Sequence, residues 1–200
     1  MGRRSDHTRN ELRELFVTTG HGLLAETGLA RFSGREVAKR AGYSVGTIAN
    51  VFGSIDGLIV AINSRSFEQW ADLLRARLAA AGPDRIAALV HGYFAFAEEC
   101  PELWSAIFAH RLPDGMTLPD EDRERRAGLT LIVEDEIRAA LPGDSKADIA
   151  RLARSLVAVV HGHCSFVVSG SFELLEEDDP KGAALARVRE NLSAHGCIFQ

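Results

Sequence analysis

The sequence predicts an all-α fold: a three-helix head carrying a helix-turn-helix, then a larger helical body, about nine helices in all. Three observations predict it. Apolar residues recur at i, i+3, i+4 and i+7 along nearly the whole chain, the spacing that lines one face of a helix. The alternating pattern of a half-buried strand is almost absent. Gly82-Pro83, Pro101, Pro113-Asp114-Gly115, Pro142-Gly143 and Pro180 break the chain at intervals that suit helices.

Taken in order, the first stripe is Leu12, Leu15, Phe16, Thr19 and Leu23. Thr8 followed by Glu11 opens it with the reciprocal pattern in which hydroxyl and carboxylate each satisfy a free amide. Gly28 is its expected stop. Ser33 with Glu36 repeats the pattern and opens a short helix through Arg40, which Ala41-Gly42 ends. Ser44 is placed to cap a third helix, Val45 to Phe52, and Gly53-Ser54 breaks the chain again. A long fourth helix carries Leu58, Ile59, Ile62, Trp70, Leu73 and Leu74 on its stripe. Further helices are expected at about 83–99, 101–111, 120–140, 145–170 and 181–195. The acidic run Glu176-Glu177-Asp178-Asp179 reads as a solvated loop.

Composition narrows the function. Hydrophobic residues make up 46% of 200, enough for a sizeable core. A net charge of −5 argues against a chain that coats nucleic acid indiscriminately. The charge is unevenly placed: residues 1–60 hold 8 Lys/Arg against 6 Asp/Glu, residues 61–200 hold 15 against 22. The N-terminal part is thus basic beside an acidic body, as suits an end that faces a polyanion. Cys100, Cys164 and Cys197 share no CxxC spacing, so no disulfide framework or zinc knuckle is implied. Residues 1–10 are polar and unlike a signal peptide, and the longest apolar run, Leu156 to Val168, is shorter than the roughly 20 residues a spanning helix needs. A cytoplasmic protein with no membrane partner is expected.

The informative stretch is Arg31 to Phe52. Two helices of about two turns, joined by a short turn with glycine, have the dimensions of a DNA-reading helix-turn-helix. An ordinary helical hairpin in a core has the same spacing, so the residue types matter. Val37, Ala38 and Ile48 can pack between the helices. The front of the second helix, Ser44-Val45-Gly46-Thr47, is small and hydroxyl-bearing and lets the backbone approach DNA, and its free amides favour a phosphate. Ser44 and Thr47 suit phosphates or base edges, Val45 a thymine methyl and Asn50 an adenine. With Ser33, Arg35 and Tyr43 they make the candidate DNA-binding set: Ser33, Arg35, Tyr43, Ser44, Val45, Gly46, Thr47 and Asn50.

Residues 33–54, Ser-Gly-Arg-Glu-Val-Ala-Lys-Arg-Ala-Gly-Tyr-Ser-Val-Gly-Thr-Ile-Ala-Asn-Val-Phe-Gly-Ser, resemble the N-terminal domain of the tetracycline-repressor-type (TetR) family. The resemblance spans about residues 8–62. It implies a DNA-binding head at 1–54 and a ligand-binding and dimerisation body at 55–200, with helix 4 as connector. Val159-Val160-His161-Gly162 is similar to a Trp-His-Gly pattern of one branch of that family, with Val160 in the Trp position. Three positions depart from the family pattern. Ala49 stands where a Tyr usually touches the DNA backbone, Val51 replaces an aromatic residue, and Ile55 stands where a Lys often contacts phosphate. Arg3, Arg4, Arg9, Arg31, Arg35, Lys39 and Arg40 are available to compensate.

For the body, the aromatic residues of 83–170 offer a pocket or simply a core. Phe94, Trp104, Phe108, His161 and Phe166 are the candidate ligand-pocket residues. His91, His110, His163 and Arg111 could add polarity. Residues 145–170 are apolar on most of the helix circumference, with Leu152, Leu156, Val159, Val160, His163 and Val167 as one stripe and Val157, Cys164 and Val168 off it. That suits a helix buried on two sides, against the core and against a second subunit. The last helix adds Leu185, Val188 and Leu192. In the resembled family the last two helices form a four-helix seam between protomers, and Gly162, Ser165 and Ser169 are small enough for close approach. His161 and His163 point to opposite sides of a helix, so no metal site is expected, nor any cofactor. No nucleophile elbow, P-loop, dinucleotide fingerprint or HExxH motif is present, so an enzyme is not expected. The resulting expectation is a homodimeric regulator, a repressor released from a palindromic operator on double-stranded DNA by a small apolar effector. The alternative is a regulator with weakened DNA binding that acts through protein contacts.

Overall fold

The computed structural model describes residues 7–197, and these form helices and no strands. The order is α1 (Arg9–Thr27), a single 3-10 turn (Leu29–Arg31), α2 (Gly34–Ala41), α3 (Val45–Phe52), α4 (Ile55–Ala80), α5 (Arg85–Glu99), α6 (Pro101–Ala109), α7 (Asp120–Ala140), α8 (Lys146–Val168), α9 (Ser171–Leu174) and α10 (Pro180–Ala194). Arg3 and Arg4 lie outside the described residues. The short α9 carries no sequence signal beyond Gly170, whose positive φ of 71° turns the chain after α8.

The chain forms two compact units. Among the described residues, one unit runs through Phe67 and adds Glu102–Arg125; the other holds Glu68–Pro101 and the residues from Arg126 to Cys197. Helices α4 and α7 each contribute to both. The expected division after residue 54 falls at the end of the helix-turn-helix stretch; the compact units divide within α4.

In the first unit α1, α2 and α3 pack on one another around Phe16, Leu24, Val37, Ile48, Leu58 and Ile62, all wholly buried. Each start and stop has a local cause. Thr8 and Glu11 cap α1 reciprocally. Ser33 caps α2 by accepting from the Glu36 amide, without the return bond. Gly42, at φ 77°, takes the left-handed conformation that ends α2. Ser44 then accepts from the Thr47 amide and opens α3. Helix α4 leaves at 70° to α3. That corner requires Gly57, since a Cβ there would collide with the backbone carbonyl of Phe52.

In the second unit α5, α8 and α10 pack together. Trp70, on the later half of α4, stacks on Phe96 at 4.9 Å and meets Tyr93 edge-on at 4.6 Å. The buried stripe of α8 is Ile149, Leu152, Ala153, Leu156, Val160 and Cys164. Cys164 therefore belongs to the stripe rather than off it, because it lies four residues beyond Val160 on the same face. Burial pushes its thiol pKa up to about 12. The opposite face of α8, with Ala158, Gly162 and Phe166, is exposed in this single chain. Asp179, in the acidic run, caps α10 by accepting from the Gly182 amide, and Pro180 follows in the first turn.

Candidate nucleic-acid interface and body cavity

The second helix of the motif is held from beneath and open above. Ile48 is its one fully buried side chain, while Ser44, Val45, Gly46, Ala49 and Asn50 are exposed. Thr47 is half-buried, and its hydroxyl lies 3.1 Å from that of Ser44. The two hydroxyls that the sequence singles out thus stand together at the start of α3, beside amides with no partner within the helix. Ser33, half-buried, caps α2. Arg35 is exposed and makes no ion pair among the described residues.

The other candidates differ in availability. Tyr43 packs its ring on Phe16 at 5.7 Å and on His7 at 6.3 Å, and its hydroxyl is covered, with no hydrogen-bond partner among the described residues. Arg40 pairs with Glu26 and Glu36, which raise its pKa above the ordinary value. Lys39 lies 3.9 Å from Glu36, and Arg31 donates to the carbonyl of Thr27. Arg9 donates to the carbonyl of Val51. Among the described residues, four of the five cations named in the sequence, Arg9, Arg31, Lys39 and Arg40, are therefore engaged within the protein. Ile55, at the position where the resembled family often carries a lysine, packs against Gly34 at the start of α2, leaving no room for a Cβ there.

The body holds an apolar cavity of about 50 Å³. Its lining includes Val90 and Tyr93 of α5, Ile137 of α7, Leu156 and Val160 of α8 and Val188 of α10. Tyr93 brings the one polar side-chain atom among the lining residues, and its hydroxyl lies 2.9 Å from Nδ1 of His161. Burial holds His161 below the usual histidine pKa. His161 is thus drawn into the cavity wall at second hand, through Tyr93.

The other predicted pocket residues are not brought to this cavity. Phe94 is wholly buried on α5, with the Lys181 ammonium 5.9 Å from its ring centre. Phe166 is 45% exposed and packs edge-on against Phe172. Trp104 and Phe108 belong to the first unit, where their rings meet at 5.3 Å. The cavity is lined mainly by Val, Ile and Leu, which carry no individual signal in the sequence, rather than by the aromatics. His110 also belongs to the first unit and bonds Asp56 at 3.1 Å, and Nδ1 of His163 bonds the carbonyl of Val159. Among the described residues no three His, Cys, Asp or Glu side chains group as metal ligands. No single helix there is long and apolar enough to cross a membrane.

A short capped helix presented above a three-helix core, on a chain whose remainder is also helical, defines a helix-turn-helix protein. Comparison with known families gives the narrower assignment. Residues 16–62 match the tetR family of bacterial regulatory proteins. Residues 86–190 match the tetracyclin repressor-like C-terminal domain, a match over more than half the chain. The chain belongs to the TetR family of transcription regulators.

Solved structures agree in fold. A protein of unknown function from Rhodococcus sp. RHA1 superposes with a TM-score of 0.71 at 19% identity, over 96% of this chain and 98% of that one. RolR in complex with resorcinol gives 0.66 at 15% identity, over 96% of both chains. The multidrug binding protein EbrR, complexed with imidazole, gives 0.60 at 21% identity, over 98% of both. No curated protein matches the chain.

Proposed function

We propose that this regulator is a cytoplasmic, non-catalytic homodimer that binds a palindromic operator and is released from it by a small, uncharged, apolar effector. The observation that carries the reading is the exposed front of α3. Ile48 anchors the helix below while Ser44, Val45, Gly46 and Asn50 face outward. In this reading Ser44, Thr47 and the α3 amides take a phosphate, Val45 and Asn50 read base edges, and Ser33 and Arg35 hold the adjoining backbone. Tyr43 joins them once its hydroxyl is uncovered. The exposed face of α8, with Ala158, Gly162 and Phe166, supports pairing through α8 and α10. Two heads then read two half-sites.

The cavity supports the effector. At about 50 Å³ it is far below the ~150 Å³ that accommodates a benzene ring. A ring-sized effector must therefore spread the helices that wall it, which gives binding a structural consequence. Two relatives of the same fold hold small molecules, imidazole in EbrR and resorcinol in RolR. By linkage, effector and operator weaken each other's binding by the same factor.

The test is footprinting of genomic fragments by the purified protein at two salt concentrations. A protected palindromic site is the expected result. Its affinity should fall less steeply with salt than that of a regulator with the full set of phosphate contacts, because Ala49 and Ile55 supply none. Absence of any protected site would favour the second reading, a regulator working through protein contacts. The engagement of Arg9, Arg31, Lys39 and Arg40 within the protein is the observation behind that alternative.

A further inference from the structure

Helix α3 has eight residues and one fully buried side chain. A helix this short has little stability of its own in water. Its position therefore depends on what holds its ends. Ser44 holds the first. The second is held by α1, whose Arg9 and Arg13 lie one turn apart. Arg9 donates to the Val51 carbonyl at 3.3 Å, and the Arg13 guanidinium lies over the Phe52 ring, 5.2 Å from its centre. Cations suit this end, where unpaired carbonyls make the helix negative. Phe52 also meets Phe16 edge-on at 6.3 Å.

Arg13 is itself held from far along the chain. Asp122, in the first turn of α7, is only 1% exposed, and its Oδ2 lies 3.6 Å from the guanidinium. Glu121 lies at 3.9 Å and also pairs with Arg125. Oδ1 of Asp122 is buried and has no hydrogen-bond partner among the described residues. A carboxylate covered in this way is costly unless a cation faces it, and Arg13 is that cation. The segment 102–125 meets the same corner a second time, where His110 bonds Asp56 in the first turn of α4.

We infer that Asp122 is a positioning residue of the reading helix: it fixes Arg13, Arg13 fixes Phe52, and Phe52 fixes the C-terminal end of α3. Neither Arg13 nor Asp122 lies within residues 16–62, the stretch that matches the tetR family of bacterial regulatory proteins. The consequence for operator choice rests on the DNA reading above; the positioning itself does not.

The test is residue-resolved amide hydrogen exchange on the full-length protein without DNA, comparing wild type with Asp122→Asn. Removing a charged partner should make the amides of Phe52 and Gly53 exchange about tenfold faster, with α2 unchanged. Arg13→Met should do the same, and the double variant no more than either single one. On an operator that the wild type protects, the ratio of specific to non-specific affinity should fall about tenfold in Asp122→Asn. Unchanged exchange in α3, or a uniform rise across the head, overturns the inference. If Asp122→Asn does not fold, Arg13→Lys, which keeps the charge and loses the planar stacking on Phe52, is judged by the same two outcomes. A wild type that protects no DNA site refutes the DNA reading alone, because the exchange data still decide the positioning.

Discussion

Helices α3 and α5 show two ways of stabilising a helix. Helix α5 has fifteen residues and buries nine of them, Phe94 and Phe96 completely. Helix α3 has eight residues and buries Ile48 alone. A helix that is to touch another molecule keeps its side chains out of the core, so its order must come from its ends and from neighbours. A helix that serves the core is held along its length. The difference predicts where damage spreads. Lesions in α5 should cost global stability, and lesions in α3 should cost local order and DNA reading first.

The largest effect should follow Phe94→Ala, which empties a wholly buried site. About 3–5 kcal/mol of unfolding free energy should be lost, measured by denaturant titration. Ile48→Ala should cost somewhat less, about 2–4 kcal/mol, and abolish DNA protection. If it lowered global stability as much as Phe94→Ala while sparing α3 exchange, the contrast between the helices would fail. Ser44→Ala removes only a cap and should cost about 1 kcal/mol. Its loss of DNA affinity should exceed that figure, since the hydroxyl is also proposed to meet a DNA phosphate.

Two smaller effects concern the body. Val160→Ile adds one methyl-sized group to the cavity wall and should raise stability by about 0.5–1 kcal/mol while blocking the effector, as thermal shift with and without effector would show. The smallest effect is on pH dependence. Burial lowers the pKa of His161 in the folded protein below the ordinary 6.5. The unfolded chain therefore binds the proton more readily, so stability is full above pH 6.5 and falls as the pH drops below it. His21, also lowered by burial, adds to the same slope. His161→Gln should flatten the decline between pH 7 and pH 5.5 without removing it, and an unchanged slope would place the effect elsewhere.

How much of this was legible beforehand depended on whether the cause is local. The Thr8–Glu11 cap, the Gly42 stop and the Ser44 start each depend on residues within a few positions of one another, and the structure has them where the sequence placed them. The bounds of α3, Val45 to Phe52, agree with the sequence for the same reason. The cavity was missed because aromatics draw the eye and Val90, Ile137 and Val188 do not. The Arg13–Asp122 pair joins positions with no pattern between them, and neither residue stands out in its own helix. The expected α8 stripe shares Leu152, Leu156 and Val160 with the buried face but takes in Val159, His163 and Val167, whereas the burial turns toward Ala153 and Cys164.

The first unit is assembled from two separated stretches of chain. Asn63 donates to the carbonyl of Ala106, and Asp56 bonds His110, so α6 and the residue that follows it complete the surroundings of α4's first half. A head cut out at residue 67 would lack those partners. Anyone transplanting this reader onto another sensor would need to carry α6 and the beginning of α7 with it, and a chimera joined within α4 alone should be born with a loosened grip on its own recognition helix.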